Sequence, residues 1–206
     1  LFTLLIVLSR TPFFQEIIPW IDFFHTALVV HVDLTVLVWF LACAGIFWSL
    51  NDSSGCEPCG WLAWGLSVLG TLIITVSPFL GAGSPLMNNY VPVLQSPIFL
   101  IGLGIFGLGV TVLVLRGLFF SSPLQGSRDT GVTALQFGVF TALITTVMAM
   151  VAQGGSYLNM PQGLSGQYYY ELLFWGSGHV LQFTHTQLML VAWLWLATVS
   201  GAKLRL

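Results

Sequence analysis

Between Glu57 and Arg116, and again between Asp129 and Glu171, the chain runs without a single charged side chain. Both intervals are much longer than the roughly 20 apolar residues that cross a hydrocarbon core. The charges can all be located: Arg10, Glu16, Asp22, Asp33, Asp52, Glu57, Arg116, Arg128, Asp129, Glu171, Lys203 and Arg205. With 56% hydrophobic and 6% charged residues, there is too little polar surface to coat a water-facing globule of this length, and a bilayer supplies the missing solvent.

The uncharged stretches predict spans near 24–49, 61–79, 97–118, 131–153 and 171–200, with a sixth ending near Arg10. A barrel strand would alternate polar and apolar residues over about ten positions, and no segment does so. The fold expected is an all-α integral membrane bundle of about six transmembrane helices, one membrane domain over residues 1–206. Turn formers punctuate it at Asn51-Asp52-Ser53-Ser54-Gly55, Gly81-Ala82-Gly83-Ser84-Pro85, Ser121-Ser122-Pro123 and Gly154-Gly155-Ser156. Short connections make neighbouring helices antiparallel. Alternation then puts Arg116, Arg128, Lys203 and Arg205 on one face and Arg10 on the other, so the positive-inside rule makes the first face cytoplasmic. Trp20, Trp61, Trp64 and Tyr168-Tyr169-Tyr170 fall at span ends, as interfacial anchors do. The chain opens at Leu1 inside an apolar run, without an initiator Met, a basic flank or a signal-peptide cleavage pattern, and reads as a fragment of a longer subunit.

Four histidines form two pairs, His25/His31 and His179/His185, each near the outer end of a long span. An ionisable residue at membrane depth is costly and faces the bundle interior, a cavity or a cofactor; the alternative for each is a hydrogen bond to a neighbouring helix. On a regular helix His31 shares a face with Thr35, Val38, Ala42, Gly45 and Ser49. That groove of small residues would admit a flat macrocycle with His31 as axial ligand to its iron, or would serve close helix packing. His25 lies six residues earlier, rotated by roughly 120° and displaced about 9 Å, so the two cannot bind one metal from a single regular helix. Asp33 is the carboxylate well inside a span and points away from His31, a candidate for a proton path or for a partner that orients a ligand, or equally for a hydrogen bond between helices. In the last span, Trp175-Gly176-Ser177-Gly178-His179 places glycines where another group can approach His179, whose neutral imidazole suits copper or iron. His185 lies on a different face and is left without a role. Cys56-Glu57-Pro58-Cys59 is a CxxC open to a redox or metal function, and Cys43 reads as a small packing residue. Hydrolase triads, phosphate-cradling motifs and basic nucleic-acid patches are absent from the sequence.

Thr26-Ala27-Leu28-Val29-Val30-His31 followed by a long apolar run, and Trp175-Gly176-Ser177-Gly178-His179 on the sixth span, resemble the N-terminal half of the catalytic subunit of the haem-copper oxidase superfamily. Pro85-Leu86-Met87-Asn88-Asn89-Tyr90-Val91-Pro92 is similar to an outer loop of its bacterial members. The resemblance implies His31 as axial ligand of a low-spin, b-type haem and His179 as a copper ligand. It also implies a high-spin haem facing that copper, other oxidase-type subunits as partners, membrane lipid around them, and a cytochrome c or quinol electron donor. Phe183 stands where the mitochondrial-type enzymes carry a tyrosine, which moves the likeness toward cbb3-like oxidases or nitric oxide reductases. The seventh-helix histidines and tenth-helix haem ligands of the roughly twelve-helix family subunit have no counterpart in these 206 residues.

The function expected is therefore that of a haem-containing subunit of a respiratory terminal oxidase-like complex reducing O2, in a bacterial cytoplasmic membrane. The alternatives are a nitric oxide reductase-like subunit and a non-catalytic structural subunit. A transporter would need helices broken near the midplane, whereas Pro78 and Pro97 fall at span ends and Gly102, Gly104, Gly107 and Gly109 suit a close-packed helix face.

Overall fold

The computed structural model describes residues 1–13, 23–50, 55–81, 83–120 and 130–202. Among the described residues five helices are long and apolar enough to cross a membrane, and the chain is an all-α integral membrane protein. A short helix α1, Phe2–Arg10, comes first. The spans are α2 (Phe23–Leu50), α3 (Glu57–Val76, tightened into a 3-10 turn over Ser77–Phe79), α4 (Pro97–Phe120), α5 (Thr130–Leu158) and α6 (Gly166–Val199). These follow the uncharged stretches within a few residues. At about 1.5 Å per residue α6 is roughly 50 Å long, more than a hydrocarbon core of about 30 Å requires. Its first turns are thus free to meet a loop outside the bundle. The turn formers at 51–54 and 121–123, Trp20, and the cations Arg128, Lys203 and Arg205 lie outside the described residues.

Two helix pairs carry the packing, α3 with α4 and α5 with α6. The first is set by glycine. A Cβ on Gly70 would stand 2.7 Å from Gly102 O and Phe106 Cα, and one on Gly109 would stand 2.7 Å from Ser67 N and 2.9 Å from Ala63 O. Lipid tails are as apolar as leucine, so membrane helices associate through close backbone approach and hydrogen bonds more than through hydrophobic transfer. Gly104 and Gly107, which the sequence placed on the same face, point instead into a cavity. The second pair is joined by an antiparallel ladder of polar side chains: Ser177 with Gln153, Thr184 with Thr146 (3.1 Å), and Gln187 with Thr141.

Two sequence expectations are corrected here. Gly154-Gly155-Ser156 is not a turn: α5 continues through it to Leu158, and Asn159 closes the helix by donating from N and Nδ2 to Gly155 O at 3.0 and 2.8 Å. In lipid a helix keeps its backbone hydrogen bonds satisfied, which outweighs the propensity cost of two glycines. The face assigned to His31 also fails, because Asp33–Val38 is π-helical. Each inserted residue turns the following helix by roughly 100°. The buried side of α2 becomes Ala27, Val30 and Asp33, then Leu41, Ala44 and Trp48. Thr35, Ala42 and Ser49 are exposed, and of the expected groove Gly45 faces α4 at Leu113.

Between α3 and α4 the chain forms a two-stranded antiparallel hairpin, β1 (Pro85–Leu86) and β2 (Val93–Leu94), in the register Pro85↔Leu94 and Leu86↔Val93. Val91, Val93 and Leu94 are buried and the hairpin packs on the N-terminal half of α2. The hairpin thereby closes the end of the bundle at which α6 begins.

Candidate functional site

His31 and Asp33 stand at the junction of regular and π-helical backbone in α2. The widening is accompanied by Thr35, whose Oγ1 donates to His31 O at 2.7 Å and to Val32 O at 3.3 Å. Hydroxyl bonds to a preceding turn bend membrane helices, and π segments occur frequently at functional sites. His31 is half-buried, and its imidazole has no hydrogen bond among the described residues. Asp33 is fully buried, with neither carboxylate oxygen hydrogen-bonded. The carboxylate faces the interior while the imidazole lies at its margin, so the two do not pair.

Farther along α2, Leu37 and Leu41 form one wall of a cavity of about 620 Å³ shared with α4, α5 and α6. Gly104 and Gly107 leave it room, Phe106, Met150 and Phe174 make it apolar, and Gln153, Ser177 and Tyr170 give it a polar end. Its size falls in the ~300–1,000 Å³ range of small-molecule sites. None of the four histidines lines it.

His179 sits elsewhere, on the exposed side of α6. Tyr90 Oη lies 2.5 Å from His179 Nδ1 and 3.2 Å from Nε2, and the Trp175 ring packs against the imidazole at 4.3 Å. The space over Gly178 is filled by the Tyr90 ring: a Cβ there would stand 2.6 Å from Tyr90 Cβ. Tyr90 itself adopts a left-handed backbone, φ 69°, a conformation held here by its surroundings. Those surroundings are further ties between the hairpin and α6. Asn89 donates from its backbone N to Glu171 Oε2 at 3.1 Å and from Nδ2 to Oε1, and Gln167 Nε2 donates to Met87 O at 3.1 Å.

The remaining candidates are not drawn into this arrangement. His185 is stacked on Phe40 of α2 at 4.9 Å, with its Nε2 buried and unbonded. His25 is exposed and meets the Phe24 ring edge-on at 5.3 Å. Cys56 and Cys59 are joined by a disulfide, so they do not serve as a thiolate metal pair in this state. Among the described residues no three His, Cys, Asp or Glu side chains converge on a metal-sized site.

The imidazole of His31 would be the group to hold a haem iron, which would supply one-electron transfer, but the small-residue groove expected beneath it is dispersed by the π-helical segment. The residues present do not fit a copper centre. His179 offers one imidazole, already engaged by Tyr90, and belongs to no group of three potential metal ligands among the described residues. Sequence reasoning quoted Tyr90 without giving it a role, since its partner is 89 positions away. The polar ladder between α5 and α6 was also missed, because Thr141 is turned by more than about 100° from Thr146 and Gln153 on a regular helix and the three do not mark one face.

No family model matches the chain, and no solved structure matches it at a significant level. It is 28% identical over its whole length to an uncharacterized protein of Rickettsia prowazekii (strain Madrid E), covering 45% of that protein. It is 32% identical over 94% of its length to an uncharacterized protein of Aquifex aeolicus (strain VF5), covering 48% of it. The chain thus spans about half the length of the curated relatives it matches.

Proposed function

We propose that this chain is a haem-bearing membrane subunit of a respiratory terminal oxidase-like complex that reduces O2, in a bacterial cytoplasmic membrane with Arg116, Arg128, Lys203 and Arg205 on the cytoplasmic side. The observation that carries the reading is His31, a half-buried imidazole without an internal hydrogen bond, two residues ahead of a π-helical segment in the first long span. His31 would hold a low-spin haem on one side. A bound haem supplies one-electron transfer, and the protein contributes ligation, burial and proton access. Asp33, buried with neither carboxylate oxygen hydrogen-bonded and two residues from His31, would hold a proton within the bundle. The copper, the high-spin haem, the further subunits and the cytochrome c or quinol donor would belong to parts of the complex outside these residues. Both relatives come from bacteria and are about twice as long, which accommodates a subunit of about twelve helices.

Phe183, with no tyrosine four residues after His179 on α6, is compatible with a cbb3-like oxygen reductase and equally with a nitric oxide reductase-like subunit, the alternative within the same reading. A non-catalytic structural subunit is favoured by the engagement of His179 and His185 in ring and hydroxyl contacts. A reduced-minus-oxidised optical spectrum with metal analysis, on the purified native complex and its His31→Ala variant, separates these. A low-spin haem band lost in the variant is the expected result. A native complex without haem refutes the oxidase-like reading and leaves the structural one.

A further inference from the structure

The end of the bundle opposite the hairpin carries a second chemical group. Cys56 caps the N-terminus of α3, a helix of 20 residues with Pro58 in its first turn, and is disulfide-bonded to Cys59 one turn on. Cys59 N donates to Cys56 Sγ at 3.3 Å. Arg116, from the last turns of α4, donates from Nε to Cys56 O at 3.0 Å. Its guanidinium also packs on Gly60, where a Cβ would stand 3.2 Å from Cζ. Both cysteines are half-buried and therefore reachable.

We infer that Cys56 and Cys59 form a reversible dithiol–disulfide couple that exchanges with low-molecular-weight thiols and disulfides of the glutathione class. Three independent features converge on this. A ring closed over two intervening residues lets either sulfur displace a small thiol bound to the other. The first turn of α3 aims an N–H at Cys56 Sγ and its partial positive charge at a thiolate there. A guanidinium hydrogen-bonded to the Cys56 carbonyl brings a cationic side chain to the same turn. The inference does not depend on the oxidase-like reading. On the cytoplasmic face assigned above, persistent structural disulfides are rare and those that form are redox-active.

In the oxidising direction the Cys56 thiolate attacks one sulfur of the small disulfide, forming a mixed disulfide and releasing one small thiolate. Cys59, after losing its proton to solvent, attacks Cys56 Sγ, closes the protein disulfide and releases the second small thiolate. Two electrons pass from the protein dithiol to the small disulfide. The two protons lost by the cysteines are taken up by the two released thiolates.

The test uses the full chain in native membranes, with Cys43→Ala so that two thiols remain, equilibrated over a series of reduced-to-oxidised glutathione ratios, quenched in acid and tagged with a maleimide. Intact mass should show a two-tag species converting to an untagged one as the ratio falls, with no one-tag species accumulating. The Cys59→Ser variant should collect one glutathione per chain. Alkylation of Cys56 in that variant should slow by about three- to tenfold on Arg116→Gln and recover on Arg116→Lys, as a nearby cation predicts for a thiolate. A bond that resists millimolar glutathione until the protein is unfolded, or a Cys59→Ser chain that takes up none, would overturn the inference. So would two cysteines that stay fully taggable in the most oxidising mixture.

Discussion

Replacing Gly70 with alanine should drive α3 and α4 apart. The new methyl would stand 2.7 Å from both Gly102 O and Phe106 Cα, where ordinary carbon contacts sit at about 3.5–4.0 Å, so the helices must separate by roughly 1 Å at that point. The obstructing atoms are backbone, and no rotamer change relieves them. Overpacking of this kind costs about 1–3 kcal/mol, offset by the roughly 0.5–1 kcal/mol that alanine gains over glycine inside a helix. A net loss of up to about 2.5 kcal/mol, centred on about 1 kcal/mol, follows for Gly70→Ala. Gly65 lies on the same helix with nothing within 4 Å of its would-be Cβ, and Gly65→Ala should gain up to about 1 kcal/mol. Unfolding of the detergent-solubilised chain in increasing dodecyl sulfate, followed by circular dichroism, measures both. Midpoints for the two variants within about 0.5 kcal/mol of each other, the scatter of ordinary surface substitutions, would refute the claim that backbone proximity at Gly70 holds this pair together.

Thr146→Val and Thr184→Val should each cost about 0.6 kcal/mol, the average for an interhelical hydrogen bond in a membrane protein. The double variant should lose less than the sum, because both remove the same 3.1 Å bond; full additivity in a double-mutant cycle would count against the bond. Glu171→Ala removes the acceptor of both Asn89 bonds and should raise amide exchange over residues 87–91 about fivefold, equivalent to roughly 1 kcal/mol; unchanged exchange would show that the hairpin is held without α6. Asp33→Leu should raise the unfolding midpoint, since a buried polar group without a partner costs about 1–3 kcal/mol. A lowered midpoint would mean that the carboxylate is satisfied by a group absent from the described residues.

The approximate limits of the five long helices were legible in the sequence because charge is so costly in hydrocarbon that its absence over residues 58–115 and 130–170 permits little else, whereas the expected sixth span is represented by the nine-residue helix Phe2–Arg10. Residue types at His31, Asp33 and His179 were legible for the same reason, as polar groups retained at membrane depth. Their surroundings were not. A π-helical segment beginning at Asp33 changes the phase of α2, so a face computed from regular helical spacing put Thr35, Ala42 and Ser49 on the inside when they are outside. Gly154 and Gly155 carry a strong turn signal in water, and that signal loses to the need for a closed hydrogen-bond ladder in lipid. The glycines of α4 show which residues leave space but not what enters it: Gly102 and Gly109 admit the backbone of α3, while Gly104 and Gly107 border a cavity. Likewise the Trp175–His179 segment announced room beside its imidazole, and only the folded hairpin placed Tyr90 there. Local chemistry determined that this chain lives in a membrane and where its ionisable groups fall along each helix. Which of those groups meet depended on helix phase and on contacts between segments far apart in the chain, and these exist only once the helices have packed.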